Sequence, residues 1–179
     1  ISMQNNLILD PYFGRLLSRP PQAIARLAGD AAHPGFFGIV KFYQLEQGVL
    51  LSANFSGLPM KTTNCPKRVF GLHIHEKGDC SGNATDPFAN TGSHYNPSGY
   101  PHPAHAGDLP PLIANGSTAW FAFYTEHFSI WKILGRAVVI HENRDDFTTQ
   151  PAGDSGKKIG CGTIRRTDLS PIGRPQHIL

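Results

Sequence analysis

The stretch GLHIHEKGDC, residues 71–80, sets two histidines either side of one isoleucine and follows them at once with a turn and a cysteine. In an extended chain successive side chains point to opposite faces, so His73 and His75 share one side of a strand while Ile74 points to the other. Gly71 and Gly78 bracket the run, and Lys77, Gly78 and Asp79 have the composition of a turn. Such a strand offers two imidazoles on rigid backbone. An isolated pair of this kind is as readily two ordinary half-buried residues, so the rest of the chain has to decide.

Outward from this strand the chain reads as more of the same. AIARLAG, FFGIVKFYQL, GVLLSANFSGL, RVFGLHIH, TAWFAFYTEHF, RAVVIHE and KIGCGTIRR are short apolar or alternating runs bounded by Gly, Pro, Asn or Asp. Strands at this spacing, with hairpin-length breaks in the first half, predict an all-β antiparallel sandwich or closed barrel. The aromatic run Trp120, Phe121, Phe123 and Tyr124 is expected to fill its core. Two longer stretches without apolar periodicity, about 77–111 and 142–156, interrupt the series, and loops this long in a compact domain are commonly functional. Before the strands, Asp10 and Pro11 make a helix start, Phe13, Leu16 and Leu17 recur at helical spacing, and Pro20 and Pro21 stop the helix. The expected organisation is an N-terminal extension with a short helix over 1–21, a β domain over 22–167 and a tail over 168–179.

Composition agrees with one loop-rich β domain. Of 179 residues, 19 are Gly and 15 Pro, and only 16% are charged. The net charge of +3 is small and scattered, which argues against a nucleic-acid partner while leaving a mild attraction for small anions. No run of apolar residues is long enough for a membrane helix, and no intact signal peptide is apparent. Cytoplasmic and exported locations both stay open. Sequons at Asn54, Asn83 and Asn115 acquire meaning only on a secretory route.

The first long loop contains GSHYNPSGYPHPAHAGDLPP, with His94, His102, His105 and Asp108. Pro101, Pro103 and Gly107 forbid a regular helix, so these side chains converge only if the loop folds around something. Three imidazoles and a carboxylate form a complete tetrahedral set with no position left for water, the pattern of a structural zinc. His141 ends the run GRAVVIH and shares a face with Val139 and Ala137, a face that could be either side of the barrel wall. With His73, His75 and His94 it would complete an all-imidazole set of the kind that suits copper. His33, His127 and His177 receive no role.

In chain order, GLHIHEKGDC, GSHYNP, the histidines and aspartate leading to HAGDLP, GRAVVIHENRDD and GDSGKKIGCGTI resemble the copper,zinc superoxide dismutases, particularly their bacterial branch, from about Ala23 to Ile164. The resemblance implies an eight-stranded Greek-key barrel with copper on its outer wall under two long loops. It implies copper held by His73, His75, His94 and His141, zinc held by His94, His102, His105 and Asp108, and His94 bridging the two. It further implies that Asp145 accepts hydrogen bonds from one copper and one zinc ligand, in preference to its neighbour Asp146, and that Cys80 and Cys161 form a disulfide, leaving Cys65 free.

The implied activity is dismutation of superoxide by alternate reduction and oxidation of copper, with His94 supplying a proton. One position departs from the family pattern: three residues before Cys161 the usual arginine is Lys158, which keeps the positive charge and loses the planar fork of donors. That departure keeps open an alternative, a dismutase-like copper- and zinc-binding module without efficient turnover. A dinuclear zinc hydrolase fits poorly, since no carboxylate base is obvious among the ligands. The resemblance leaves a homodimer open.

Overall fold

A computed structural model of the chain describes residues 11–60 and 69–167. Asp10, Cys65, His177 and the side chain of Phe13 lie outside the described residues. After a helix, α1 (Pro11–Ser18), come β1 (Ala23–Gly29), β2 (Phe37–Gln44) and β3 (Val49–Ser56), each antiparallel to the last. There follow β4 (Val69–Phe70), β5 (Leu72–His75), β6 (Leu112–Ile113), β7 (Ala119–Thr125), a single helical turn α2 (Ile130–Ile133), β8 (Ala137–His141) and β9 (Lys158–Arg166). Seven strands form one antiparallel sheet in the order β5-β8-β9-β1-β2-β3-β7, and β4 pairs with β6.

The described residues form nine strand segments, because RVFGLHIH is two strands and the short β6 adds another. RVFGLHIH breaks at Gly71, whose N–H donates to the Asn143 carbonyl at 2.6 Å and whose own carbonyl accepts the His141 N–H at 2.9 Å. A side-chain carbon at Gly71 would come within 2.8 Å of Ser155 Oγ, so glycine lets the second long loop lie against the strand. On one side of the break β4 pairs with β6; on the other β5 pairs with β8. A tight turn at Asn115–Thr118 joins β6 to β7, the far edge of the large sheet. The sheet thereby curls back on itself as an antiparallel, mostly β fold, as expected.

Inside the curl lie Leu27, Phe42, Leu51, Phe70, Leu72, Ile74, Ile140 and Ile164, all essentially buried. The strands supply them at alternate positions, as period-2 patterning requires. α1 lies over the β2–β3 hairpin, where Leu16 packs with Tyr43 and Leu50. One expectation needs correction. Only half of the aromatic run of β7 serves the core: Phe121 and Phe123, on the same face as Ala119 and Thr125, pack partly buried against it, whereas Trp120 and Tyr124 alternate to the other face and are exposed. The small elements β6 and α2 carry no periodicity long enough to read; α2 exists because Ile130 and Ile133, one turn apart, are both buried.

Candidate metal centre

β5 carries the decision posed by its sequence. Leu72 and Ile74 enter the core, while His73 and His75 point to the outer face. They are nonetheless buried, because both long loops cover that face. β8 behaves alike: Val138 and Ile140 face inward, and Ala137 and Val139 pack outward with Phe88 and Cys161. His141 follows a bulge after Ile140 and is buried beside His75 on the outer side of the wall. The alternative left open by alternation alone is thus settled by the loops.

The first loop takes the free edge of β5. The Tyr95 N–H donates to the Ile74 carbonyl and the Ile74 N–H to the Gly107 carbonyl, both at 2.8 Å, and Gly107 N–H bonds back to Tyr95 at 2.9 Å. This pairing sets His94 opposite His75 and Asp108 opposite His73. Two groups of donors result, His73, His75, His94 and His141 in one and His94, His102, His105 and Asp108 in the other, and within each group the donor atoms lie within 4.8 Å of one another. The rings of His73 and His94 are 3.9 Å apart, centre to centre.

Hydrogen bonds around the rim decide which nitrogen of each ring faces inward. Asp145, nearly buried, accepts from His73 Nε2 through one oxygen and from His102 Nε2 through the other, each at 2.9 Å. That leaves Nδ1 of both rings as the lone-pair atom, and both are buried without a hydrogen-bond partner. His75 Nδ1 faces the Gly92 carbonyl at 2.8 Å and His141 Nδ1 the Gly156 carbonyl at 3.3 Å, so their Nε2 atoms face each other at 3.2 Å. Two imidazole lone pairs at that distance call for a cation between them. The Asp108 carboxylate lies 2.8 Å from His94 Nδ1, 3.0 Å from His102 Nδ1 and 3.3 Å from His105 Nδ1. His94 Nε2, on the other side of the ring, is buried and unpartnered. The residues fit two metal ions, one held by imidazoles alone and one by three imidazoles and a carboxylate.

Burial shapes the protonation of the rings. It lowers the His73 pKa to about 4 in spite of the Asp145 hydrogen bond, and holds His75 and His141 well below the ordinary histidine range. Burial would raise Asp145, but hydrogen bonds from His73, the Phe147 amide and His102 outweigh it and bring its pKa down to about 2. His73, His75 and His141 are therefore held as neutral imidazoles and Asp145 as a carboxylate, the forms in which such groups bind or support a metal. Asp146, by contrast, turns away: its carboxylate receives the amides of Thr148 and Thr149 in a local turn.

Several contributors had no readable signal. Gln150 ties the second loop to the first, accepting the His102 N–H at 2.9 Å and donating to the His102 carbonyl at 2.6 Å. Gly153, at φ 66°, runs so close that a side-chain carbon would collide with the Asp145 carboxylate and come within 2.7 Å of His102 Nε2. The carbonyls of Gly92 and Gly156 orient histidines although neither glycine carries a chemical group of its own. Cys80 and Cys161 are joined in a disulfide that fastens the first loop to β9. Lys158 borders a cavity of about 460 Å³ together with His75, Glu76, Gly92, His94 and His141.

A curled antiparallel barrel whose outer wall carries two donor sets sharing one histidine defines a dinuclear metalloprotein. The family described as copper/zinc superoxide dismutase (SODC) matches residues 36–164, and the chain belongs to that family. Copper and zinc are accordingly its cofactors. It is 34% identical over 143 residues to superoxide dismutase [Cu-Zn] 2 of Aquifex aeolicus, a match that covers 72% of this chain and 78% of that one. It is also 31% identical to the copper chaperone for superoxide dismutase of Rattus norvegicus, over 73% of this chain and 48% of the chaperone. Among solved structures, a double mutant of a SOD-like protein from Bacillus subtilis superposes with a TM-score of 0.66 at 29% identity, over 78% of this chain and 95% of that one.

Proposed function

We propose that this chain is an active copper,zinc superoxide dismutase, which converts two superoxide anions and two protons into dioxygen and hydrogen peroxide. The observation that supports this best is the sharing of His94 between two complete donor sets, one of which borders a cavity that a lysine also lines. In this reading His73, His75, His94 and His141 hold copper, and His94, His102, His105 and Asp108 hold zinc. Copper held there would supply a one-electron redox couple, and zinc a fixed positive charge.

The chain's own residues do the rest. Asp145 keeps the Nε2–H of His73 and His102 in place, so that Nδ1 of each stays aimed at its metal. The Gly92 and Gly156 carbonyls perform the same service for His75 and His141. His94 Nε2, buried and without a partner, would hold the proton required by the peroxide product, while Asp108 at Nδ1 keeps the ring aligned. Lys158 draws the anion toward the cavity; as an ammonium it attracts without offering a planar pair of donors.

The test is superoxide dismutation by the purified protein loaded with one copper and one zinc per chain, with metal content determined on the same sample. Fast, copper-dependent turnover that slows as salt is added is expected. Full copper occupancy with negligible turnover would instead establish a metal-binding module, a reading favoured by the likeness to a copper chaperone and by the lysine that replaces the family's arginine.

A further inference from the structure

The ammonium of Lys158 does not hang free at the cavity. Nζ donates to Asp86 Oδ2 at 2.9 Å and to the Phe88 carbonyl at 3.2 Å. The lysine side chain is 14% exposed and that of Asp86 36%, so the pair sits at the boundary between cavity and solvent. The carboxylate is itself fixed. Its other oxygen accepts the Phe88 N–H at 3.1 Å, and the Asp86 N–H donates to Asn83 Oδ1 at 2.9 Å. The Asp86 carbonyl accepts the N–H groups of Asn83 at 2.9 Å and Ala89 at 3.1 Å. Phe88 in turn buries its ring against Ala137, Val139 and Cys161 on the barrel wall. An acid from the first loop is thus held rigidly against a base from β9.

We propose that Asp86 is a positioning residue for the anion guide: it clamps the Lys158 ammonium beside the metal cavity and cancels part of its field. A lysine at such a place would otherwise sample many rotamers, and the carboxylate confines it. The same carboxylate turns an isolated charge into a dipole whose pull on a distant anion is weaker. The site gives up long-range attraction for a charge in a defined place. This deepens the dismutase reading and rests on it only for the identity of the anion, because the consequence for binding holds for any small anion drawn to the copper.

Azide is the probe, titrated into the copper- and zinc-loaded protein and followed by the visible absorption of the copper. Asp86→Asn keeps an oxygen for the Phe88 N–H and removes the charge; Asp86→Ser offers a hydroxyl to the same N–H and serves if the first variant folds poorly. Release of a partly exposed ion pair should tighten azide binding by roughly three- to fivefold and steepen its salt dependence. In a Lys158→Met background the Asp86 substitution should shift azide affinity by clearly less, because only the bare charge of Asp86 is then removed and no ammonium is set free. Equal azide affinity in wild type and Asp86→Asn overturns the clamp, and so does an equal shift in the Lys158→Met background, which would reduce Asp86 to a bare charge near the site. Turnover measured on the same samples separates the two readings. Azide coupling without turnover keeps the clamp and sinks the dismutase; fast turnover without coupling does the reverse.

Discussion

The barrel wall and the two loops that cover it are held by different forces. The wall is apolar inside, with Phe42, Leu51, Phe70, Ile74 and Ile140 essentially buried and every strand pinned by antiparallel ladders. The loops bury fewer apolar side chains, chiefly Phe88, Tyr95 and Leu109 of the first. They are fastened by the Cys80–Cys161 disulfide, by Gln150 at both backbone groups of His102, by Asp145 between two histidines, and by the donor sets themselves. The wall's stability therefore belongs to the chain, whereas that of the loops is shared with the metals. One strand belongs to both regimes, since alternate residues of β5 serve the core and the site.

Substitutions on adjacent residues of that strand's neighbourhood would break the comparison most severely. Ile74→Ala empties a core position, with an expected cost of about 2–5 kcal/mol in denaturant unfolding, and should leave both metals bound. His94→Ala removes a donor from each set, so copper and zinc content should both fall and dismutation should vanish. Hydrogen exchange should then rise across residues 77–111 and stay low in β1, β2, β3 and β9. Exchange rising uniformly would show that loops and wall form one cooperative unit. Next in size is Cys161→Ser. It opens a closure spanning a sequence separation of 81 residues, and on the chain-entropy view the loss is about 4 kcal/mol. An unfolding midpoint unchanged by the substitution would place the fastening of the first loop elsewhere.

What could be read from the sequence divides along the same line. Alternation in AIARLAG, FGIVKFYQ and VLLSANFS exposes each strand because burial there acts on one side chain in two. Paired histidines in HIH, and the histidines and aspartate from His94 to Asp108, are legible because few other arrangements place those residue types so densely. Long-range closeness leaves no local trace. Nothing in TTQPAGDSG marks Gln150 as a clamp or Gly153 as the glycine on which Asp145 and His102 depend. The pairing of Lys158 with Asp86 likewise arises from a contact between segments that are distant in sequence. The aromatic run of β7 misleads for the opposite reason: strong strand propensity says that a strand exists and says nothing of which face is outward.

Acid should sharpen the contrast in the metal-free protein. His73, held at a pKa of about 4 by burial, and His75 and His141, held low by the same cause, take up protons in the unfolded chain at the ordinary histidine range but resist doing so when folded. Their neutral burial is without penalty above that range, and stability should fall as pH drops from about 6.5 toward 4. Asp145 works in a separate window. Its depressed pKa of about 2 contributes stability above the ordinary carboxylate range, and that contribution is lost as pH falls through about 2. Urea unfolding of the metal-free protein from pH 7 to pH 3 reads the histidine window, and a flat profile there would mean that the rings are already open to solvent without metal.

The smallest effect is also the most local. Gln150→Ala removes two hydrogen bonds that join the second loop to His102, at 2.9 and 2.6 Å, and touches no donor atom of either set. Hydrogen bonds of this kind contribute about 1 kcal/mol each on average, and an exposed residue whose partners regain water loses less. The expected result is a drop of about 1 kcal/mol in the metal-loaded protein, together with faster zinc release to a chelator, because His102 loses the tie that holds its backbone. Copper release should stay as in wild type, since His73, His75 and His141 are oriented by Asp145, Gly92 and Gly156 and not by Gln150. If both metals leave faster together, the two sets are coupled through the second loop as a whole, and the boundary drawn between wall and loops has to be redrawn to run between one metal and the other.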